Sequence, residues 1–139
     1  MAEPNATTTP DVFPVPRSDL TPGDVVRTQM EALADNDLPY PDAGIETAYR
    51  FMAPDARQFI GSIRHFIDVV NNPIYQCCLR HDGVRYSDVR VRGRHALRAL
   101  ILTNANCGRE TGFVFALERQ QSPPHRHCWM TTSVRRVQV

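Results

Sequence analysis

The most restrictive feature of this sequence is a pair of strand-like segments that carry apolar side chains on both faces. Side chains at successive positions of a strand point to opposite faces. In segment 95–103 one face carries Leu97, Ala99 and Ile101, and the other carries Leu100 and Leu102. In segment 111–119 one face carries Phe113, Phe115 and Leu117, and the other carries Val114 and Ala116. One helical layer covers one face, so the second must be buried by a curled sheet around a cavity, by a partner's sheet, or by both.

The hydrophobic pattern from residue 75 onward has a period of two, which is typical of strands. It predicts four strands joined by short polar links as an antiparallel meander, at about 84–92, 95–103, 111–119 and 126–135. In the first strand, Val84 and Tyr86 share one face while Val89 and Val91 share the other. This change of phase predicts a β-bulge near Ser87 and Asp88.

The preceding region has helical periodicity. We predict helices at about 22–36 and 43–52, and a third helix that ends at Asn71–Pro73 after a turn at the sequence APDAR. Thr21, Asp42 and Ser62 are the expected N-caps. The apolar stripe of the third helix is Phe59, Ile63, Phe66, Ile67 and Val70. The sequence therefore predicts an α+β fold with three N-terminal helices packed on a curved antiparallel sheet of about four strands.

The length of 139 residues is that of one domain. Residues 1–20 hold four of the eleven prolines and no apolar period, so we expect a flexible N-terminal arm followed by a single domain at 21–139. No apolar run is long enough to cross a bilayer, and the basic and apolar blocks of a secretory signal are missing. These features predict a soluble protein of the cytoplasm or plastid stroma that is not secreted and has no membrane span.

The cysteine and histidine content does not predict a metal site. Cys77 and Cys78 are adjacent, so on a strand they would point to opposite faces, and we expect reduced thiols that act as small hydrophobic side chains. His125 and His127 share a face if the last strand begins that early, but Cys128 points the other way. We therefore expect neither a metal nor a cofactor.

The charge of the chain is divided unevenly between its two parts. Residues 1–60 hold 4 Arg and 10 acidic residues, whereas residues 61–139 hold 12 Arg and 5 acidic residues. Acidic helices lying over a basic sheet account for this, although an anionic partner would also do so. Arg90, Arg92 and Arg98 share parity and form an expected interaction face for an acidic protein surface. Without Lys or interleaved aromatic residues this stripe does not indicate nucleic-acid binding.

Four segments together resemble a known superfamily. They are TPGDVVRTQMEALADND, GIETAYRFMAPDAR, GSIRHFIDVVNNPIY, and FVFALERQ followed by CWM. They resemble an uncharacterised branch of the nuclear-transport-factor-2-like superfamily, also called SnoaL-like or cystatin-type, which is found mainly in photosynthetic organisms and bacteria. The resemblance implies a cone-shaped α+β fold with a pocket between helices and sheet, and often dimerisation through the sheet. It does not imply a reaction, because the superfamily includes both enzymes and non-catalytic proteins.

Within such a cone, five residues are candidates for the ligand pocket: Tyr49, Phe66, Tyr75, Trp129 and Thr131. An enzyme of this type needs an acid or base beside a hydrogen-bond donor, and the candidates are Asp88 and Tyr49. Our leading interpretation is a non-catalytic interaction or assembly protein that docks on a protein partner or dimerises through its sheet. The alternatives are an isomerase, dehydratase or cyclase acting on an apolar substrate, and a carrier of a small apolar ligand.

Overall fold

The sheet and the helices occupy separate parts of the chain. The structure, a computed structural model, describes residues 13–108 and 110–139. Within these residues the fold class is α+β, with four α-helices and a five-stranded antiparallel open sheet. The helices are α1 (Pro22–Ala34), α2 (Ala43–Arg50), α3 (Pro54–Ile60) and α4 (Ile63–Val70). After the 3₁₀ turn Gln76–Cys78 come β1 (Gly83–Tyr86), β2 (Arg90–Arg92), β3 (His95–Thr103), β4 (Thr111–Arg119) and β5 (Trp129–Val137).

The two central strands follow directly from the alternating pattern. β3 and β4 have the predicted bounds, and the strand order is β1–β3–β4–β5, with β2 also paired to β3. β5 begins three residues later than expected, at Trp129, because the preceding residues form a loop. In that loop His125 N donates to Ser122 O (3.3 Å) and Cys128 N donates to His125 O (2.9 Å). The prolines at 123 and 124 have no N–H to contribute to a ladder.

The predicted first strand is interrupted by one extra residue. Tyr86 pairs with Leu100 and Arg90 pairs with Leu97, so four steps along this edge oppose three along β3. This is the bulge that the change of phase predicts, and it lets Val84 and Val89 both pack against the core. A second irregularity lies between β4 and β5, where Ala116 pairs with Ser133 but Leu117 pairs with Thr131.

The two faces of the sheet differ in burial. The inner face packs against the helices through buried side chains, among them Leu100, Leu102, Phe113, Phe115 and Leu117. On the outer face Ala99, Ile101, Val114 and Ala116 are partly exposed, and Leu97 is 48% exposed. The apolar outer face is therefore present, but the described residues leave it partly uncovered.

The first helix begins as its sequence predicts. Asp24 N donates to the Thr21 hydroxyl (3.0 Å), and Thr21 N donates to the Asp24 carboxylate (3.0 Å), which completes a capping box with Pro22 at the first helical position.

The second helix takes its cap from a distant residue. Asp42 occupies the N-cap position, but its side chain makes no capping bond and instead accepts from the Asn36 amide (2.9 Å). The Asn36 side-chain oxygen accepts from Ile45 N (2.9 Å), and the Asn36 carbonyl accepts from Gly44 N (2.9 Å). Buried Asn36 thus satisfies N–H groups that a helix start leaves unpaired. Gly44 lies directly against α1 at this point.

The expected third helix is two helices. The APDAR segment is helical rather than a turn, since Pro54 begins α3, and the chain breaks at Gly61, whose φ is +98°. Ser62 then caps α4 as predicted, because its hydroxyl accepts from His65 N (3.2 Å). The break corrects the assignment of Phe59 to the core stripe: on α3 it is 94% exposed.

A short pairing joins the helical layer to the sheet. Thr131 N donates to Phe51 O (2.8 Å), and Ala53 N donates to Thr131 O (2.7 Å), so residues 51–53 pair in parallel with the start of β5. The Thr131 hydroxyl also donates to the Gln29 side-chain oxygen on α1 (2.7 Å). Both side chains are buried, and Gln29 donates in turn to Ala48 O (3.0 Å).

The expectation that the cysteines are reduced is wrong for two of them. Cys77 and Cys107 form a disulfide, with Cα atoms 6.1 Å apart. The bond ties the 3₁₀ turn to the β3–β4 loop, a tertiary contact that no local pattern reveals. Asn104 reinforces it by donating to Cys77 O (2.9 Å) and Leu79 O (3.0 Å).

The predicted arm falls partly outside the described residues, namely at 1–12. The rest of it contacts the domain. Phe13 lies edge-on to Tyr40, with ring centroids 6.1 Å apart, and under the Arg50 guanidinium at 5.4 Å. Leu20 packs against the core.

We expect Gly44→Ala to destabilise the fold by about 3 kcal/mol, because a methyl group there would overlap the backbone of Ala32 and Asn36. The measurement is the free energy of unfolding in urea. Gly83→Ala is the matched control, since its nearest neighbour would be the Thr103 hydroxyl at 3.8 Å. Equal losses in the two variants would contradict a close α1–α2 contact at Gly44.

Candidate functional site

A cavity of about 700 Å³ lies between the helices and the sheet. All four helices contribute to its wall, together with Tyr75, Cys78, β4 and β5. The wall is mostly aliphatic and aromatic, and includes Leu33, Met52, Phe66, Val70, Phe115 and Val134. Such a surface excludes ions and favours an apolar occupant.

The cavity wall also includes residues with carboxylate or hydroxyl side chains, namely Asp55, Glu118, Thr132 and Ser133. The bond from Ala53 N to Thr131 O brings the start of α3 beside the irregular part of β5. Asp55 and Ser133 are exposed, and the Thr132 hydroxyl donates to Ala116 O (3.1 Å). Glu118 also pairs with Arg94, whose Nε lies 3.4 Å from the carboxylate. No ion pair to Asp55 occurs among residues 13–108 and 110–139.

The buried polar groups on the wall already have partners. Gln29 is bound to Thr131 and Ala48. The Tyr75 hydroxyl donates to Val134 O (2.9 Å), and its ring stacks on Phe113 with centroids 6.1 Å apart. Their hydrogen bonds fix the shape of the cavity wall.

The cavity opens past α3. Asp55, Phe59 and His65 are on its wall and are exposed, so they mark the mouth. On the inner wall, burial raises the pKa of the Cys78 thiol to about 12. A thiol with such a pKa is protonated at neutral pH and is a poor nucleophile.

Two of the five predicted pocket residues, Phe66 and Tyr75, lie on the cavity wall. Tyr49 lies behind it, with its ring 5.3 Å from that of Phe66 and its hydroxyl donating to Gly61 O (2.7 Å). Trp129 and Thr131 are buried at the start of β5 and are not on the wall, because the 51–53 pairing covers this part of the strand.

The candidate acid–base pair is not brought together at the cavity. Asp88 is exposed on the link between β1 and β2, at the sheet edge opposite β5, and it does not line the cavity. The Tyr49 hydroxyl is already bound to a backbone carbonyl.

The predicted arginine face is divided between the two sides of the sheet. Arg90 pairs with Leu97, so even positions of β2 share a face with odd positions of β3. Arg90 and Arg92 are exposed. Arg98 instead donates to Gly23 O (3.1 Å) and Ser87 O (3.1 Å) and stacks on Tyr86 at 4.3 Å. Odd and even positions exchange faces between β2 and β3, so counting parity along the sequence places Arg98 on the wrong face.

A second polar contact lies outside the cavity, where α3 meets the β4–β5 loop. Arg57 Nη2 is 3.4 Å from His125 Nε2, and the Arg57 guanidinium lies over the Tyr49 ring at 5.7 Å. Burial, followed by the Arg57 charge, lowers the pKa of His125 below its usual range. The imidazole is therefore neutral at pH 7 and accepts from Arg57.

No group of three or more His, Cys, Asp or Glu side chains within the described part of the chain is placed to hold a metal ion. The sequence HRHC, residues 125–128, lies in the loop before β5 rather than on the strand. Nor does any helix in the described ranges combine the length and apolar character needed to cross a membrane.

Comparison with known proteins identifies a family over most of the chain. Residues 17–138 match the family described as "Domain of unknown function (DUF4864)". The chain belongs to the DUF4864 family. Searches of the curated proteins and of the solved structures find no match.

Several wall residues of this DUF4864 domain were not singled out from sequence. Gln29 falls on the same helical face as Val26, Met30 and Leu33. A polar residue within an apolar stripe is the sequence feature that indicates its buried position. Asp55 and Glu118 give no such signal, because isolated carboxylates at helix starts and strand ends are ordinary surface residues.

We expect the free energy of unfolding of the DUF4864 domain to fall as the pH drops below about 6.5, in part through His125. The pKa of His125 is lower in the folded protein than in the unfolded chain, so the unfolded chain binds the proton more readily. The stability that His125 contributes is therefore lost as the pH falls from its pKa in the unfolded chain toward its pKa in the folded protein. The measurement is the urea midpoint at several pH values. His125→Gln cannot titrate and should show a shallower decline. Identical pH dependences would contradict the Arg57–His125 contact.

Proposed function

We propose that this protein binds a small, mainly apolar molecule in the cavity between its helices and its sheet, as a carrier or binding protein. The supporting observation is the cavity volume of about 700 Å³ with its largely apolar wall. Small-molecule sites are typically clefts of about 300–1,000 Å³ lined by apolar side chains with a few polar groups. Ordinary cores contain few voids larger than a water molecule, so a space of this size is more than a packing defect.

We also propose that the fold is the cone of the nuclear-transport-factor-2-like superfamily. The features that support this are the helices packed on one face of the antiparallel sheet, the two irregular pairings in its ladder, and the cavity between the layers. Bulges bend a sheet locally and so favour a concave inner face.

A binding role is better supported than catalysis. Asp88 and Tyr49 do not share the cavity wall, and the buried thiol on that wall is protonated. Of the acidic and histidine residues on the wall, Asp55 and His65 are exposed at the mouth, and Glu118 pairs with Arg94.

To test the cavity, we would titrate the protein with the neutral dye N-phenylnaphthylamine, whose fluorescence rises in apolar surroundings. We expect saturable one-to-one binding. Val134→Phe should weaken it at least about tenfold, or ~1.4 kcal/mol, because the larger side chain projects into the cavity and competes with the dye for space. Val137→Phe is the matched control: it changes the same strand at a partly buried position off the wall. Dye binding that is absent, or equal in both variants, would refute the proposal.

A second candidate function is association through the outer face of the sheet. Leu97 is 48% exposed there and lies beside the partly exposed Ala116, with Arg90 as its neighbour on β2. A partly uncovered aliphatic surface with a charged rim is characteristic of an interface with another protein or with a second copy of the chain.

We expect the wild-type protein to sediment as a dimer and Leu97→Glu to sediment as a monomer, because a charged side chain on that surface would lose its hydration on association. Sedimentation velocity over a range of concentrations measures this. Phe59→Glu serves as a control at an exposed apolar position on the helical side. A monomeric wild type, or a dimer unaffected by Leu97→Glu, would exclude self-association through this face.

A further inference from the structure

Two strong hydrogen-bond donors on the cavity wall already bind acceptors of the protein itself. The Gln29 amide nitrogen donates to Ala48 O (3.0 Å) and to the Met52 sulfur (3.8 Å), so both of its hydrogens have acceptors. The Tyr75 hydroxyl donates its one hydrogen to Val134 O (2.9 Å). Neither side chain has a hydrogen left to donate to a ligand.

The other side-chain donors on the wall are occupied, weak or exposed. The Thr132 hydroxyl donates to Ala116 O (3.1 Å). The Cys78 thiol is buried and protonated, and S–H is a weak donor. Ser133 and His65 are exposed, so a ligand group that reaches them is still in contact with water. A carbonyl oxygen enclosed in the cavity would therefore exchange strong hydrogen bonds to water for no equivalent bond to a side chain.

The enclosed wall also has no cation to pair with an anionic group. No arginine is among the described residues of the wall, and its one basic residue is His65, which is exposed. A carboxylate or phosphate moved into this space would lose its hydration without gaining a charged partner.

We infer that the ligand is neutral and hydrocarbon-like, with no carbonyl, carboxylate or phosphate in the part that the cavity encloses. This inference rests on the proposed function and adds the chemical class of the ligand to it. Affinity comes from apolar surface removed from water along the aliphatic and aromatic wall. Selectivity comes from the cost of burying a hydrogen-bond acceptor that finds no donor.

The test compares diphenylmethane with benzophenone, which have the same two rings and differ only in the CH₂ or C=O group between them. Each displaces N-phenylnaphthylamine from the full-length protein. We expect diphenylmethane to bind at least about thirtyfold more tightly, because the enclosed carbonyl loses its bonds to water without replacement. A cavity that supplied a donor would give a smaller ratio, as octanol does by hydrogen-bonding to polar solutes.

A donor added to the wall should reduce this selectivity. Val134→Thr introduces a hydroxyl with little change in volume, and we expect it to lower the ratio at least about fivefold, chiefly through tighter binding of benzophenone. Val137→Thr is the matched control, because it makes the same change on the same strand at a partly buried position off the wall, and should leave the ratio unchanged. Circular dichroism checks that both variants are folded.

The outcomes separate the inference from the function on which it rests. If benzophenone binds wild-type protein within about tenfold of diphenylmethane, or if Val134→Thr leaves the ratio unchanged, the inferred ligand class is wrong while a binding cavity stands. If neither the dye nor either of the two ligands binds wild-type protein, the proposed function falls, and this inference falls with it.

Discussion

The hydrogen bond between Thr131 and Gln29 is the contact on which the arrangement of helices and sheet depends. It joins α1 to β5 across 102 positions of sequence. Both side chains are buried, and leaving either unsatisfied would cost about 1–3 kcal/mol. The backbone pairing of residues 51–53 with Thr131 reinforces the contact. With the layers fixed together at this point, the adjacent space becomes a cavity, and Gln29 forms part of its wall.

The mouth of the cavity follows from the same contact. α3 begins immediately after the paired segment 51–53, so its start lies beside the irregular stretch of β5, and Asp55 and Phe59 are on the cavity wall. The break at Gly61 then separates α3 from α4 and leaves Phe59 in solvent at the mouth. In a continuous helix Phe59 would share the apolar stripe of Ile63 and Phe66, so the break at Gly61 accounts for its exposure.

The sequence predicts those parts of the fold that local chemistry controls. Alternation places β3 and β4 with correct bounds, and a change of phase places the bulge before Val89. Thr21 and Ser62 cap helices because their hydroxyls reach N–H groups three positions ahead. Local patterns do not predict contacts between separate segments. Three examples are the capping of α2 by Asn36, the Cys77–Cys107 disulfide and the inward position of Arg98, because in each case the partner comes from another part of the chain. The same holds for the site: sequence patterns predict the aromatic wall residues Phe66 and Tyr75, whereas an isolated aspartate such as Asp55 gives no signal.

The pairing of residues 51–53 has a further consequence for the open edge of the sheet. An unpaired edge strand is a template on which other extended chains can add. At the start of β5 that template is already occupied by the molecule's own backbone, so strand addition is confined to the later part of β5 and to the β1 and β2 edge. The later part of β5 carries Arg135 and Arg136, and β2 carries Arg90 and Arg92. Charge repulsion between copies would therefore oppose edge-to-edge polymerisation where the backbone does not block it.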